Sequence, residues 1–145
     1  MNDYLNLKGK VHIVLRDQYG NIKQEDYKDN LIVTAGKAFV ASAITSASAS
    51  PFTHVAVGSS STAANVSQTA LGTELARVAA TVTNPTSTTA NFQATYGAGV
   101  GTGTVEEAGI FNAGSSGTMF SRYLTGTYVK SASDTLTVDW TITIS

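Results

Sequence analysis

Thr135-Leu-Thr-Val-Asp-Trp-Thr-Ile-Thr-Ile144 alternates polar and apolar residues along its whole length. Leu136, Val138, Trp140, Ile142 and Ile144 fall on one face, and Thr135, Thr137, Asp139, Thr141 and Thr143 on the other. A repeat of two is the period of a half-buried strand. Burying an aliphatic or aromatic side chain is worth roughly 1.5 to 3 kcal/mol, so this one face rivals the net stability of a small domain before chain entropy is subtracted. The strand is therefore predicted to lie on the core, and truncation before Leu136 to prevent folding.

The same period recurs at the other end of the chain. From Gly9 to Arg16, Val11, Ile13 and Leu15 oppose Lys10, His12, Val14 and Arg16. Asp17-Gln-Tyr-Gly-Asn21 has turn chemistry, because Gly and Asn tolerate positive φ, and Ile22 to Lys28 returns as a polar edge strand. Asn30-Leu-Ile-Val-Thr34 is short and apolar, with Thr34 placed to cap a helix over 35–45 whose Phe39, Val40, Ala43 and Ile44 share one face. After the small polar connector Ser46 to Ser50, Pro51 resets the chain into a strand over 52–57, and Ser59 to Thr69 reads as a loop. Leu71 to Arg77 stays open between a helical turn and an extended connector, since Leu71 and Leu75 lie four apart while Gly72 weakens any helix. Strands are predicted over 78–83, 86–96, 105–112 and 118–124, broken at Asn84-Pro85, Gly97 to Gly103 and Ala113 to Gly117. Many short strands and a single helix point to an all-β fold, an antiparallel β-sandwich of jelly-roll-like type, with one short α-helix near residues 35–45.

Composition fits a single domain over 1–145, large enough to bury its apolar surface without covalent staples. Charged residues make up 13% of the chain, about half the usual share, so Ser and Thr supply the surface polarity. A net charge of −1 with nine scattered basic residues argues against a nucleic-acid partner, which needs clustered Lys and Arg to replace phosphate counterions. Cysteine is absent, which removes disulfides and thiolate chemistry. No stretch approaches the ~18 consecutive apolar residues of a membrane span, and Met1 to Leu7 lacks a signal-peptide pattern, so no membrane partner and synthesis in the cytosol are expected. Asn65-Val-Ser67 matches a glycosylation sequon within a Ser-rich loop and carries little meaning without secretion.

The candidate chemistry is sparse. His12 and His54 are the only imidazoles, both on predicted strands, with no carboxylate placed by local spacing to orient either ring. Gly114-Ser-Ser-Gly117 has the wrong spacing for a nucleophile elbow. The glycines of Gly97-Ala-Gly-Val-Gly-Thr-Gly103 alternate strictly and lead into no helix, so this is a flexible loop and not a phosphate cradle, and Gly36-Lys37 lacks its upstream glycine. Glu106 and Glu107 are adjacent carboxylates, but neighbours on a strand leave opposite faces and do not flank one bond. An inward Glu needs a cationic or backbone partner, and Arg77 or Arg122 could supply one, so Glu106 or Glu107 with Arg77 or Arg122 is read as a structural ion pair, not a catalytic site. No catalytic residue, cofactor or metal site is predicted; Tyr4, Tyr19, Tyr27, Tyr123 and Tyr128 are candidate contact residues on an interface that the residues do not mark.

Several blocks carry a resemblance when taken in order: Lys8-Gly-Lys-Val-His-Ile-Val-Leu-Arg-Asp-Gln-Tyr-Gly-Asn21, Asn30-Leu-Ile-Val-Thr-Ala-Gly-Lys37, Val55-Ala-Val-Gly58, Thr69-Ala-Leu71, Glu74-Leu-Ala-Arg77, Glu107-Ala-Gly-Ile-Phe-Asn112 and Met119-Phe-Ser-Arg122. Together they resemble small structural proteins of tailed-bacteriophage virions, of the capsid decoration or cement type. The resemblance implies a non-enzymatic domain made in the host bacterial cytoplasm and placed on the capsid surface. It would bind the major capsid protein and copies of itself, for example as a trimer, with Met1 to Leu7 as a docking arm. The alternative it leaves open is a tail, baseplate or fibre component contacting a host receptor.

Overall fold

The computed structural model describes residues 3–46 and 49–145. Among them the chain order is β1 (Leu7–Arg16), β2 (Ile22–Asp29), β3 (Leu31–Ile32), α1 (Thr34–Thr45), β4 (His54–Gly58), β5 (Glu74–Ala79), β6 (Thr81–Thr86), β7 (Thr89–Tyr96), β8 (Gly103–Phe111), β9 (Met119–Lys130) and β10 (Thr135–Ile144). Met1 and Asn2 of the expected arm, and residues 47 and 48 of the connector after α1, lie outside the described residues.

The alternating C-terminal segment is the central strand of a first antiparallel sheet, ordered β2-β1-β10-β7-β6. Its register sets Leu136 between Leu15 and Tyr96, Val138 between Ile13 and Ala94, and Trp140 between Val11 and Phe92. Leu136, Val138 and Trp140 are accordingly fully buried. The second sheet, ordered β3-β9-β8-β4-β5, packs on this face to give an all-β antiparallel sandwich. Both sheets feed one core, in which the Tyr123 ring of β9 meets Trp140 edge-on at 5.2 Å. Among the described residues no helix is long and apolar enough to cross a membrane.

Three local features depart from the sequence reading, and a fourth settles an open one. The segment 71–77, left open, becomes β5 from Glu74, while Leu71 stays in the preceding loop and is buried there. Asn84 and Pro85 do not end a strand but lie in β6, at a sheet edge and a register irregularity, the two places where a missing N–H does least harm. β9 does not stop at Leu124: Gly126, at φ 73°, absorbs an irregularity opposite Val105 to Glu107 and the strand runs on to Lys130. Thr34 is the first helical residue and not the cap. Val33 holds that position without a side-chain bond, and the Thr34 N–H instead donates to Val66 O at 2.8 Å.

α1 meets the core through Phe39 and Val40 as expected, but not through Ile44. Its one buried residue is Gly36, which lies so close to the backbone of Phe120 that a Cβ there would approach the carbonyl oxygen to 2.2 Å. Phe39 packs edge-on against Phe52 at 4.5 Å and Val40 packs against the main core, but Ile44 is 79% exposed. The close Gly36 contact sets which side of the helix meets the sheet, and Ile44 falls outside that side.

Candidate functional site

Along β8, Val105, Ala108 and Ile110 enter the core between the sheets, while Glu107 and Phe111 take the outer face of the second sheet. The segment 59–73 folds across that outer face and buries a second, smaller cluster of Val33, Ala56, Leu71, Phe111 and Met119. Glu107 lies beneath this segment with no exposed surface, beside Arg122 of β9, which is equally buried. Gly58 sits opposite Glu107 in the neighbouring strand and Gly109 opposite Arg122. A Cβ at Gly58 would come within 2.5 Å of Glu107 Oε1, so the missing side chain is what leaves room for the carboxylate.

Every acceptor of that carboxylate is engaged. Oε1 accepts from the N–H groups of Ser60 at 3.2 Å and Thr73 at 2.9 Å. Oε2 accepts from the Gly72 N–H at 3.0 Å and from Arg122 Nε at 2.9 Å, with Arg122 Nη2 in ion-pair contact at 2.8 Å. Arg122 spends its remaining donors on the same segment, Nη1 on Gln68 Oε1 at 3.1 Å and Nη2 on Thr62 O at 2.9 Å. The buried pair thus ties residues 60, 62, 68, 72 and 73 to two adjacent strands. Backbone N–H groups and a guanidinium saturate a carboxylate for binding, and a sealed, saturated carboxylate has no lone pair directed at a reactant.

The other two candidates do not join this pair. Glu106 is half-exposed and its Oε1 accepts from Thr127 Oγ1 at 2.9 Å. Arg77 pairs with Glu74, through Nε at 2.9 Å and Nη2 at 2.7 Å. The reason lies in the ladder of β4 and β5, where Gly58 opposes Glu74 but Val57 opposes Ala76, so Leu75 is an extra residue. That bulge brings Glu74 and Arg77, three apart, onto one face, which a regular strand does not do. Arg77 Nη1 then donates to Ala113 O at 2.9 Å and Ser116 O at 2.8 Å, with the guanidinium 3.7 Å above the Phe111 ring. It braces the 112–118 turn against the same outer face.

The remaining candidates lie apart. His12 Nε2 pairs with Glu25 Oε2 at 2.8 Å, and its ring stacks on Tyr27 at 4.2 Å. This carboxylate orients the ring from β2, beyond the reach of local spacing. His54 Nδ1 is 2.8 Å from Thr53 Oγ1. Tyr4, Tyr19 and Tyr27 are exposed, whereas Tyr123 and Tyr128 belong to the core, where burial pushes the Tyr128 hydroxyl up to about 12. The glycine-rich run 97–103 is held at both ends of its turn, by Lys130 Nζ donating to Gly97 O and by Gly99 N–H donating to Ala132 O, each at 2.8 Å. Lys23 Nζ reaches Asp134 Oδ2 at 2.7 Å, and this bond with those from Ser131 holds the Asp134 carboxyl down at about 2. Among the described residues no group of three or more His, Cys, Asp or Glu is arranged to hold a metal ion.

No family model, curated protein or solved structure matches the chain.

Proposed function

We propose that this chain is a structural protein of a bacteriophage virion, acting as a capsid decoration or cement protein that binds the major capsid protein and braces the head. The observation that carries the reading is the convergence of the virion-like sequence blocks on one structural device. Val55 to Gly58, Thr69 to Leu71, Glu74 to Arg77, Glu107 to Asn112 and Met119 to Arg122 all contribute to the outer face of the second sheet. There their Gly, Glu and Arg residues hold the 59–73 segment and the 112–118 turn in place. These bonds tie the two loops to the sheet, and charged residues make up only 13% of the chain. Loops already tied down suit a protein that acts by burying surface, since less order has to be gained on docking. Many weak identical contacts over a shell then brace it through avidity.

The test is a binding titration on capsids freed of the protein. Saturable binding at a fixed number of copies per capsomer, with a rise in the temperature or force at which heads rupture, supports the reading. Binding only to purified tails or to host cells transfers it to the receptor-contacting alternative, and binding to none of these contradicts it.

A further inference from the structure

The sandwich has four sheet edges, and three are guarded against pairing with another chain. β2 carries Lys23, Glu25, Asp26, Lys28 and Asp29 in eight residues. β3 is two residues long and leads directly into α1, which packs beside β9. β6 contains Pro85 and an irregular register. Charge, shortness, proline and irregularity are the means by which natural sheets block edge pairing.

β5 has none of these beyond its first turn of chain. Its bulge is confined to Glu74 and Leu75, and past it run Ala76, Arg77, Val78 and Ala79 without lysine, acid or proline. The lone charge, Arg77, is bound to Glu74, to two turn carbonyls and over Phe111, so it is held above the sheet and away from the edge. The direction of the free backbone groups follows from the ladder. Ala80 N–H is spent inward on Thr53 O at 2.8 Å, and β5 opposes Ala79 to His54 and Val78 to Val55. In an antiparallel ladder hydrogen-bonded and non-hydrogen-bonded pairs alternate, so Arg77 and Ala79 turn their N–H and C=O groups outward.

We infer that two copies of this chain pair antiparallel along their β5 edges, about a two-fold axis at Val78, joining their second sheets into one continuous sheet. Of the registrations centred on Arg77 and on Val78, the second satisfies both the hydrogen bonds and the charges. A two-fold axis perpendicular to a sheet pairs residues of the same face, so it passes through a residue and not between two. Centred on Arg77 it opposes two guanidinium side chains. Centred on Val78 it opposes Val78 to its own copy, Ala76 to Ala80, and Arg77 to Ala79, and the outward groups of Arg77 and Ala79 meet those of Ala79 and Arg77 of the second copy. Small Ala side chains at 76, 79 and 80 keep the approach clear. The pairing closes on itself as a dimer, and it stands on the geometry of this edge without the virion reading.

Two kinds of substitution at one exposed residue test it. Ala79→Pro removes an outward N–H that no other strand of the sandwich uses, a change that an edge strand tolerates. Ala79→Lys and Ala79→Glu place opposite charges directly across from Arg77 of the second copy. Analytical ultracentrifugation across concentration should show a monomer–dimer equilibrium for the native chain and a monomer for Ala79→Pro with unchanged circular dichroism. The Lys variant should dimerise more weakly than the Glu variant, by about tenfold in dissociation constant over the two symmetry-related contacts. A native chain that stays monomeric at every soluble concentration overturns the inference. So does a dimer that survives Ala79→Pro, or Lys and Glu variants that dimerise equally or in the reverse order.

Discussion

Glu107→Ala would leave the Arg122 guanidinium buried without its counter-charge and strip the acceptor from the N–H groups of Ser60, Gly72 and Thr73. Breaking one side of a buried pair costs about 3 to 5 kcal/mol, a large part of the roughly 5 to 15 kcal/mol that holds a domain folded. At about 4 °C per kcal/mol for a chain of this size, Tm should fall by roughly 12 to 20 °C. Arg122→Met, which strands the carboxylate, should fall by a similar amount. The double variant Glu107→Leu with Arg122→Met replaces both charges by apolar groups. It should be less destabilised than the sum of Glu107→Leu and Arg122→Met measured singly, with a coupling of at least about 2 kcal/mol. Thermal melts of the four proteins give the cycle, and amide hydrogen exchange locates the damage. Residues 60–73 should lose protection first, while β10 and β1 keep theirs. Single variants that each lose under about 1 kcal/mol, as for an exposed pair, or that add without coupling, would refute the view that this pair pins the segment.

Two further predictions concern packing and acid stability. Gly36→Ala puts a Cβ about where the Phe120 carbonyl already stands, so α1 must lift from β9 at a cost of about 1 to 3 kcal/mol. Gly97→Ala, with nothing near its added methyl, should change stability by under about 0.5 kcal/mol, and denaturant melts compare the two. The depressed pKa of Asp134 means that its ionised form stabilises the fold at pH above its ordinary 3.8, and that this stabilisation is lost as pH falls from there through about 2. Asp134→Asn should therefore be less stable than the native chain at neutral pH, with the gap closing below pH 3.8, and a gap that persists unchanged to pH 2 contradicts the assignment.

What was legible in the chain was whatever depends on period alone. The repeat of two in Leu136 to Ile144 and in Val11 to Leu15 is visible without any partner, and those strands lie side by side at the centre of the first sheet. What was hidden depends on residues distant in sequence. The pattern around Leu71 and Gly72 left β5 undecided because its bulge is defined only by the register against β4. Ile44 looked like part of a helix face because periodicity marks an apolar side but not the side that meets Phe120, which Gly36 decides through contact. Glu107 and Arg122 were legible as candidates from the rule that a buried carboxylate needs a cation. The sequence left Arg77 equally eligible, since only the bulge at Leu75 shows that Glu74 claims it. Glu25 was not legible as the partner of His12, because the hairpin register brings it there across β1 and β2.

The role proposed for the chain is that of a many-copy component of a capsid surface. It is tested most directly by a reconstruction of particles produced from the genome that encodes it, with mass spectrometry of the same particles for copy number. In that role, density for the sandwich is expected at symmetry-related positions over the whole head. A chain confined to a few copies at the tail, or missing from the particle, would contradict it.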